Sequence, residues 1–257
     1  MAAKVPKHWG GISWEEKAKE NPLYAVMTSA DVADAGAEDF SDQHLQTFFA
    51  KGLALYQKHI QPFLAPLPRD ALIAEYGCGA GRVLAPLVAD GWSAIGIDIS
   101  ETMLRHCRDL VPDVAATYAL DENGECAAPS GVSSLVYSYA VVQHISLLSN
   151  YLRAFDVMCR VLKPGGTIAV QVNCEDTAHG DLDTPWKTEN EETRSLHFRP
   201  GESRPFSIHK QDNWSGVYIG HEAQTRILSE RGVTVVRRYY HNPKKLRGVW
   251  YIGVKEH

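Results

Sequence analysis

Apolar residues recur at helical spacing through QHLQTFFAKGLALYQKHI, residues 43–60, where Leu45, Phe48, Phe49, Leu53 and Tyr56 fall on one stripe. The spacing predicts a long amphipathic helix. Upstream, SWEEKAKE at 13–20 sets Ser13 three residues before Glu16, the spacing of a capping box. PFLAPLP then ends the helical pattern. Residues 1–62 therefore read as an N-terminal helical cap or lid.

From residue 71 the pattern changes to short apolar runs alternating with amphipathic stretches. ALIAEY, SAIGID, VAATYAL, SSLVYSYA and GGTIAVQVN read as five strands. GRVLAPLVADG, SETMLRHCRDL with Ser100 as its N-cap, and LLSNYLRAFDVMCRVL read as the helices between them. HEAQTRILSERG is a further helix, and VTVVRRYY and GVWYIGVKE follow as two strands with no helix between them, which predicts an antiparallel pair at a sheet edge. The fold class is α/β: a Rossmann-like, doubly wound sheet of about seven strands with an antiparallel final strand. Its domain takes residues 63–257 and carries a long insertion, 174–220, after the fifth strand. HFRPGESRPFSI in that insertion reads as a small hairpin, and a connection of this length reads as a lid or binding element.

Composition narrows the function classes. The chain has 257 residues, 44% of them hydrophobic, which suits one sizeable core and excludes disorder. The net charge of −5 and the lack of any long Lys/Arg run weigh weakly against a nucleic-acid partner. No segment approaches 18 apolar residues and MAAKVPKHWGG is not a signal peptide, so no membrane partner and a cytoplasmic location are expected. Cys78, Cys107, Cys126, Cys159 and Cys174 form no CxxC pair and read as reduced thiols.

The chemistry concentrates in AEYGCGAGRV, residues 74–83. Gly77, Gly79 and Gly81 alternate directly after Glu75 and Tyr76. A dinucleotide fingerprint places its third glycine one position later, and a phosphate-binding P-loop requires Gly-Lys-Ser/Thr, which is missing. Asp98 ends the second strand, 21 residues after Gly77, where a carboxylate can accept both hydroxyls of a ribose. RVLKPGG lies between the fourth helix and the fifth strand. Together, acidic-x-GxGxG, the strand-end Asp and LKPGG resemble the class I S-adenosylmethionine-dependent methyltransferases over roughly residues 70–175. The resemblance implies S-adenosyl-L-methionine as cofactor. It places Gly77, Cys78 and Gly79 beneath the cofactor, Glu75 toward its ammonium end, and Asp98 on its ribose. Ile99, Met103 and Asp121 fall by the adenine, and Ser138 and Tyr139 at the end of the fourth strand. Glu75 also reads as a cap for backbone N–H groups of the turn, and Ile99 and Met103 as helix core. Ser134 stands where the family often has Asp, and Tyr76, where a small aliphatic residue is commoner, reads as packing on the cap.

Methyl transfer aligns nucleophile, methyl and sulfur and often needs a base. The region after the fourth strand reads YSYAVVQHI and lacks the amide-gripping motif of DNA methyltransferases. NPLY, 21–24, lacks the second proline of that motif. His144 is the candidate base. Tyr24, His144, Trp186, His209 and Trp214 are the candidate substrate contacts, with His179 and His221 as further histidines able to reach the site. Asp176, Asp181 and Asp183 with His179 read as a solvated acidic loop, so no metal is expected. The expected acceptor is a small molecule, a sugar, glycoside or other secondary metabolite methylated at O or N. A protein or RNA methyltransferase and a non-catalytic cofactor-binding protein are the alternatives.

Overall fold

The computed structural model describes residues 14–27, 30–36, 38–145, 148–173, 206–211, 214–242 and 247–257. The N-terminal segment is helical. Helices α1 (Trp14–Glu20) and α2 (Pro22–Val26) precede α3 (Asp42–Leu55). The capping box lies at the start of α3, where Ser41 Oγ accepts from His44 N and the His44 ring accepts from Ser41 N. Ser13 lies outside the described residues. The predicted helix 43–60 does not end at PFLAPLP. After Leu55 the chain widens into one π-turn, Tyr56–Ile60, and then runs on as α4, Gln61–Leu64. Pro62 is tolerated because it falls in the first turn, where its missing N–H has no helical partner to lose. The wide turn buries Tyr56, His59 and Ile60, and Tyr56 Oη donates to Asp90 Oδ2 at 2.5 Å.

The main sheet contains β1 (Leu72–Tyr76), β2 (Ser93–Asp98), β3 (Ala116–Ala119), β4 (Ser133–Ser138), β5 (Leu162–Val172), β8 (Val233–Asn242) and β9 (Arg247–Lys255). Between these strands lie α5 (Leu84–Ala89), α6 (Glu101–Leu110), α7 (Leu148–Val161) and α8 (His221–Ser229). Its order is β3-β2-β1-β4-β5-β9-β8. Strands β1 to β5 are parallel, and β9 is antiparallel to both neighbours. The last two strands form the expected antiparallel pair at the sheet edge. β9 inserts between β5 and β8, which leaves β8 at the edge. The reason is burial: Val249, Trp250 and Tyr251 are at most 1% exposed and need cover on both faces. LKPGG is part of β5, with Gly165 at φ 72° beside a register shift against β4.

A separate hairpin pairs β6 (Phe206–Gln211) with β7 (Trp214–Ile219), later in the chain than HFRPGESRPFSI suggested. β7 packs on the 3-10 turn Val142–His144.

Apolar clusters cover both faces of the sheet. One gathers Tyr76, Ile97, Val136, Phe155 and Met158, and the other Tyr56, Leu84, Leu104, Tyr137 and Trp250. A third, smaller cluster joins Ala18, Leu23, Met27, Val32 and Phe48 of the helical segment to Ala80 and Met103 of the sheet layer. The helical segment thus packs on the loop after β1 and on α6, at the carboxyl ends of β1 and β2. Tyr76 belongs to the first cluster, so it packs under α7 and not on the cap. Among the described residues no helix is long and apolar enough to cross a membrane.

Candidate active site

The turn after β1 is built by glycine. Gly77, Gly79 and Gly81 have φ of 78°, 52° and 84°, a region that L-residues with side chains avoid. Each is also sterically closed. A Cβ on Gly77 would come within 2.4 Å of Val141, one on Gly79 within 2.9 Å of Val26, and one on Gly81 within 2.7 Å of Val111. The N–H groups of Gly77 and Cys78 both donate to Ile97 O, at 2.7 and 3.1 Å. Asp98 locks the turn further: Oδ2 accepts from Gly79 N at 2.8 Å and Oδ1 from Ser100 N at 2.9 Å. Burial pushes its carboxyl up, against the pull of these backbone donors.

Above this turn lies a cavity of ≈ 360 Å³. Glu75, Gly77, Cys78, Gly79, Asp98, Ile99, Met103, Tyr139 and His144 all line it. Its roof comes from the helical segment, through Trp14, Lys17, Ala25 and Val26. α1 is tied down beside the site by Glu15, whose carboxylate accepts from Ser100 Oγ at 2.7 Å, Thr102 Oγ1 at 2.7 Å and Thr102 N at 3.2 Å. Glu75 is 4% exposed and accepts from Tyr137 Oη at 3.0 Å. Burial raises its carboxyl well above the usual range, and the Tyr137 hydrogen bond offsets this only in part. β4 ends in a sharp turn at Ala140, φ 57°, held by Gln171 Oε1 accepting from Ala140 N at 3.0 Å. Trp14 meets the His144 ring edge-on at 5.4 Å.

Residues 74–170 match a family described as a methyltransferase domain. That match agrees with the resemblance of the motifs to the class I S-adenosylmethionine-dependent methyltransferases. A tRNA (carboxymethyluridine(34)-5-O)-methyltransferase from Arabidopsis thaliana is 31% identical over 160 residues, 60% of this chain and 35% of that protein. A trans-aconitate 2-methyltransferase from Azoarcus sp. (strain BH72) is 32% identical over 123 residues, 44% of each. The chain thus spans well under two thirds of either relative. Among solved structures, the Burkholderia thailandensis 1,6-didemethyltoxoflavin-N1-methyltransferase, with 1,6-didemethyltoxoflavin and S-adenosylhomocysteine bound, has a TM-score of 0.55. It is 13% identical, and the match covers 82% of this chain and 85% of that one. At that identity the likeness concerns the fold.

The residues present fit the superfamily's cofactor. Gly77 and Gly79 line the cavity without side chains, with a carboxylate at the end of β2 and a second on β1. Tyr76 Oη and Arg82 Nε are buried with no hydrogen-bond partner among the described residues, although both residues line the cavity.

Two expected contacts are placed elsewhere. Asp121 does not line the cavity: its Oδ1 accepts from Asn123 N and Glu125 N and closes a tight turn, and Leu120 takes the lining position. Ser138 is fully buried behind the cavity, its Oγ donating to Tyr76 O at 2.9 Å. Tyr24, His209 and Trp214 fall on α2, β6 and β7 by their backbones, and their side chains lie outside the described set. Trp186, His179, Asp176, Asp181, Asp183 and Cys174 lie outside the described residues altogether. His221 pairs with Tyr251 Oη and is not a lining residue. Cys78, Cys107, Cys126 and Cys159 are free thiols. Among the described residues no group of three or more His, Cys, Asp or Glu is arranged to hold a metal. Trp14, Lys17, Arg82 and Gln143 are lining residues that the sequence motifs did not single out. Arg82 directly follows the glycine turn, and that position was its only signal.

Proposed function

We propose that the protein is a methyltransferase that moves a methyl group from S-adenosylmethionine to an oxygen or nitrogen of a small molecule. The observation that carries the reading is the glycine turn locked to Asp98, which forms the floor of a cavity roofed by α1 and α2. When bound, S-adenosylmethionine supplies a sulfonium methyl group to a nucleophile. Gly77 and Gly79 let a ligand lie against the backbone. Asp98 uses one acceptor position of each oxygen on the turn, and each keeps lone pairs for a ribose hydroxyl. Ile99 and Met103 offer apolar surface for the adenine. Glu75 and Tyr139 face the other end. His144 is the candidate to take a proton from the acceptor, oriented by Gln143 and by the Trp14 edge.

A small acceptor is favoured because the helical segment closes over the site and the chain carries net charge −5. The tRNA-modifying relative favours a second reading, an RNA acceptor. Calorimetric titration with S-adenosylhomocysteine tests the cofactor, and its failure to bind sinks the proposal. Binding of a tRNA anticodon stem-loop that weakens steeply with salt would select the RNA reading.

A further inference from the structure

Arg82 lines the cavity half-buried, and its Nε is buried with no hydrogen-bond partner among the described residues. Its place is enforced. On α3, a Cβ at Gly52 would come within 1.9 Å of Arg82 O and 2.9 Å of Arg82 Cγ, so the helix backbone presses against the residue and bars its side chain from that direction. Glu75 and Tyr139 are the groups that act on its charge. Glu75 does not neutralise it. That carboxyl is buried, already accepts from Tyr137, and is held toward its protonated form by desolvation. Burial also lowers the affinity of Arg82 for its proton, but a guanidinium stays charged in proteins. A partly desolvated cation whose buried Nε–H is unpaired is well matched to an anion entering the cavity. Its planar fork matches a carboxylate, which it can grip through two parallel hydrogen bonds.

We infer that Arg82 is a carboxylate receptor facing the cavity, taking either the amino-acid end of the cofactor or a carboxylate on the methyl acceptor. The inference rests on the proposed function for what occupies the cavity. Lys17, on α1, brings a second cation to the same space.

The test is calorimetry on the full chain with Arg82→Met and Arg82→Lys, alongside thermal melting. Three probes are used: S-adenosylhomocysteine, 5′-methylthioadenosine, which lacks the amino-acid end, and trans-aconitate or citrate titrated into protein saturated with S-adenosylhomocysteine. If the cofactor supplies the carboxylate, Arg82→Met weakens S-adenosylhomocysteine at least tenfold and leaves 5′-methylthioadenosine within twofold. Arg82→Lys, which keeps charge but loses the fork, falls between. If the acceptor supplies it, S-adenosylhomocysteine is unaffected and the wild type's tricarboxylate binding is lost in Arg82→Met. Equal affinities of Arg82→Met and wild type for all probes overturn the inference, as does an equal loss of both nucleosides. A wild type that binds neither nucleoside sinks the proposed function instead, and the receptor then stands or falls on the tricarboxylate titrated into the ligand-free protein.

Discussion

Asp98 serves two neighbours with one carboxylate, and its substitutions separate shape from charge. Asp98→Asn keeps the volume but turns one accepting oxygen into a donor, so either Gly79 N or Ser100 N then faces another N–H. Affinity for S-adenosylhomocysteine should fall about 10- to 100-fold, the scale of losing one hydrogen bond to a charged group. An affinity within twofold of wild type by calorimetry would remove Asp98 from the site. Glu75 makes a different prediction. Its folded carboxyl binds protons more tightly than the unfolded one, so its contribution is complete below the ordinary value of 4.5 and is lost as pH rises through the raised folded value. Glu75→Gln removes that loss. The variant should melt with wild type near pH 4 and above it near pH 8, by roughly 2–4 °C per kcal/mol recovered, whereas parallel melting curves at both pH values would refute the account. The glycines and Asp98 were legible in the sequence because a left-handed turn and a strand-end carboxylate are local requirements. Arg82 was not, because its isolation depends on Gly52, thirty positions upstream. Asp121 shows the converse: an acidic residue in the expected place closes its own turn.

At the scale of elements, α1 is tied by Glu15 to the N-terminus of α6. Burial pulls the Glu15 carboxyl up, but donors from Thr102 and Ser100 outweigh it and hold the group below its ordinary 4.5. This hold is present above that value and is lost as pH falls through the depressed folded one. Glu15→Ala should free α1, speed the release of S-adenosylhomocysteine in stopped-flow experiments, and expose residues 14–27 to trypsin at Lys17 and Lys19. Unchanged release and unchanged proteolysis would show that the apolar cluster around Leu23 and Met27 holds the cap alone. The alternating strands and helices between 72 and 172 were legible because apolar periodicity switches cleanly there. The run from α3 through the π-turn into α4 was not, since Pro62 ends a helix everywhere except in a first turn. The hairpin β6–β7 lies later than the turn residues Pro200–Gly201 suggested, with Gln211 pairing with Trp214.

At the scale of the molecule, the sheet depends on its reversed strand. Val249, Trp250 and Tyr251 are each buried, and burying a large side chain contributes roughly 1.5–3 kcal/mol. Total stability of a domain is only ~5–15 kcal/mol. A chain stopped before residue 247 should therefore lose its cooperative melting transition and bind no S-adenosylhomocysteine. A folded truncation with a sharp transition by circular dichroism would contradict the topology. The class of fold was legible, with strands and helices in alternation. The antiparallel edge pair was legible too, but not its order, because two strands without an intervening helix can place either one against β5. That placement also matters during synthesis. β8 is translated before the strand that separates it from β5, so while the ribosome adds residues 243–255 the nascent sheet shows β5 as an open edge. Ile168, Val170 and Val172 lie along that edge, which makes the interval before β9 arrives the period of greatest exposure to aggregation and of greatest value to a chaperone.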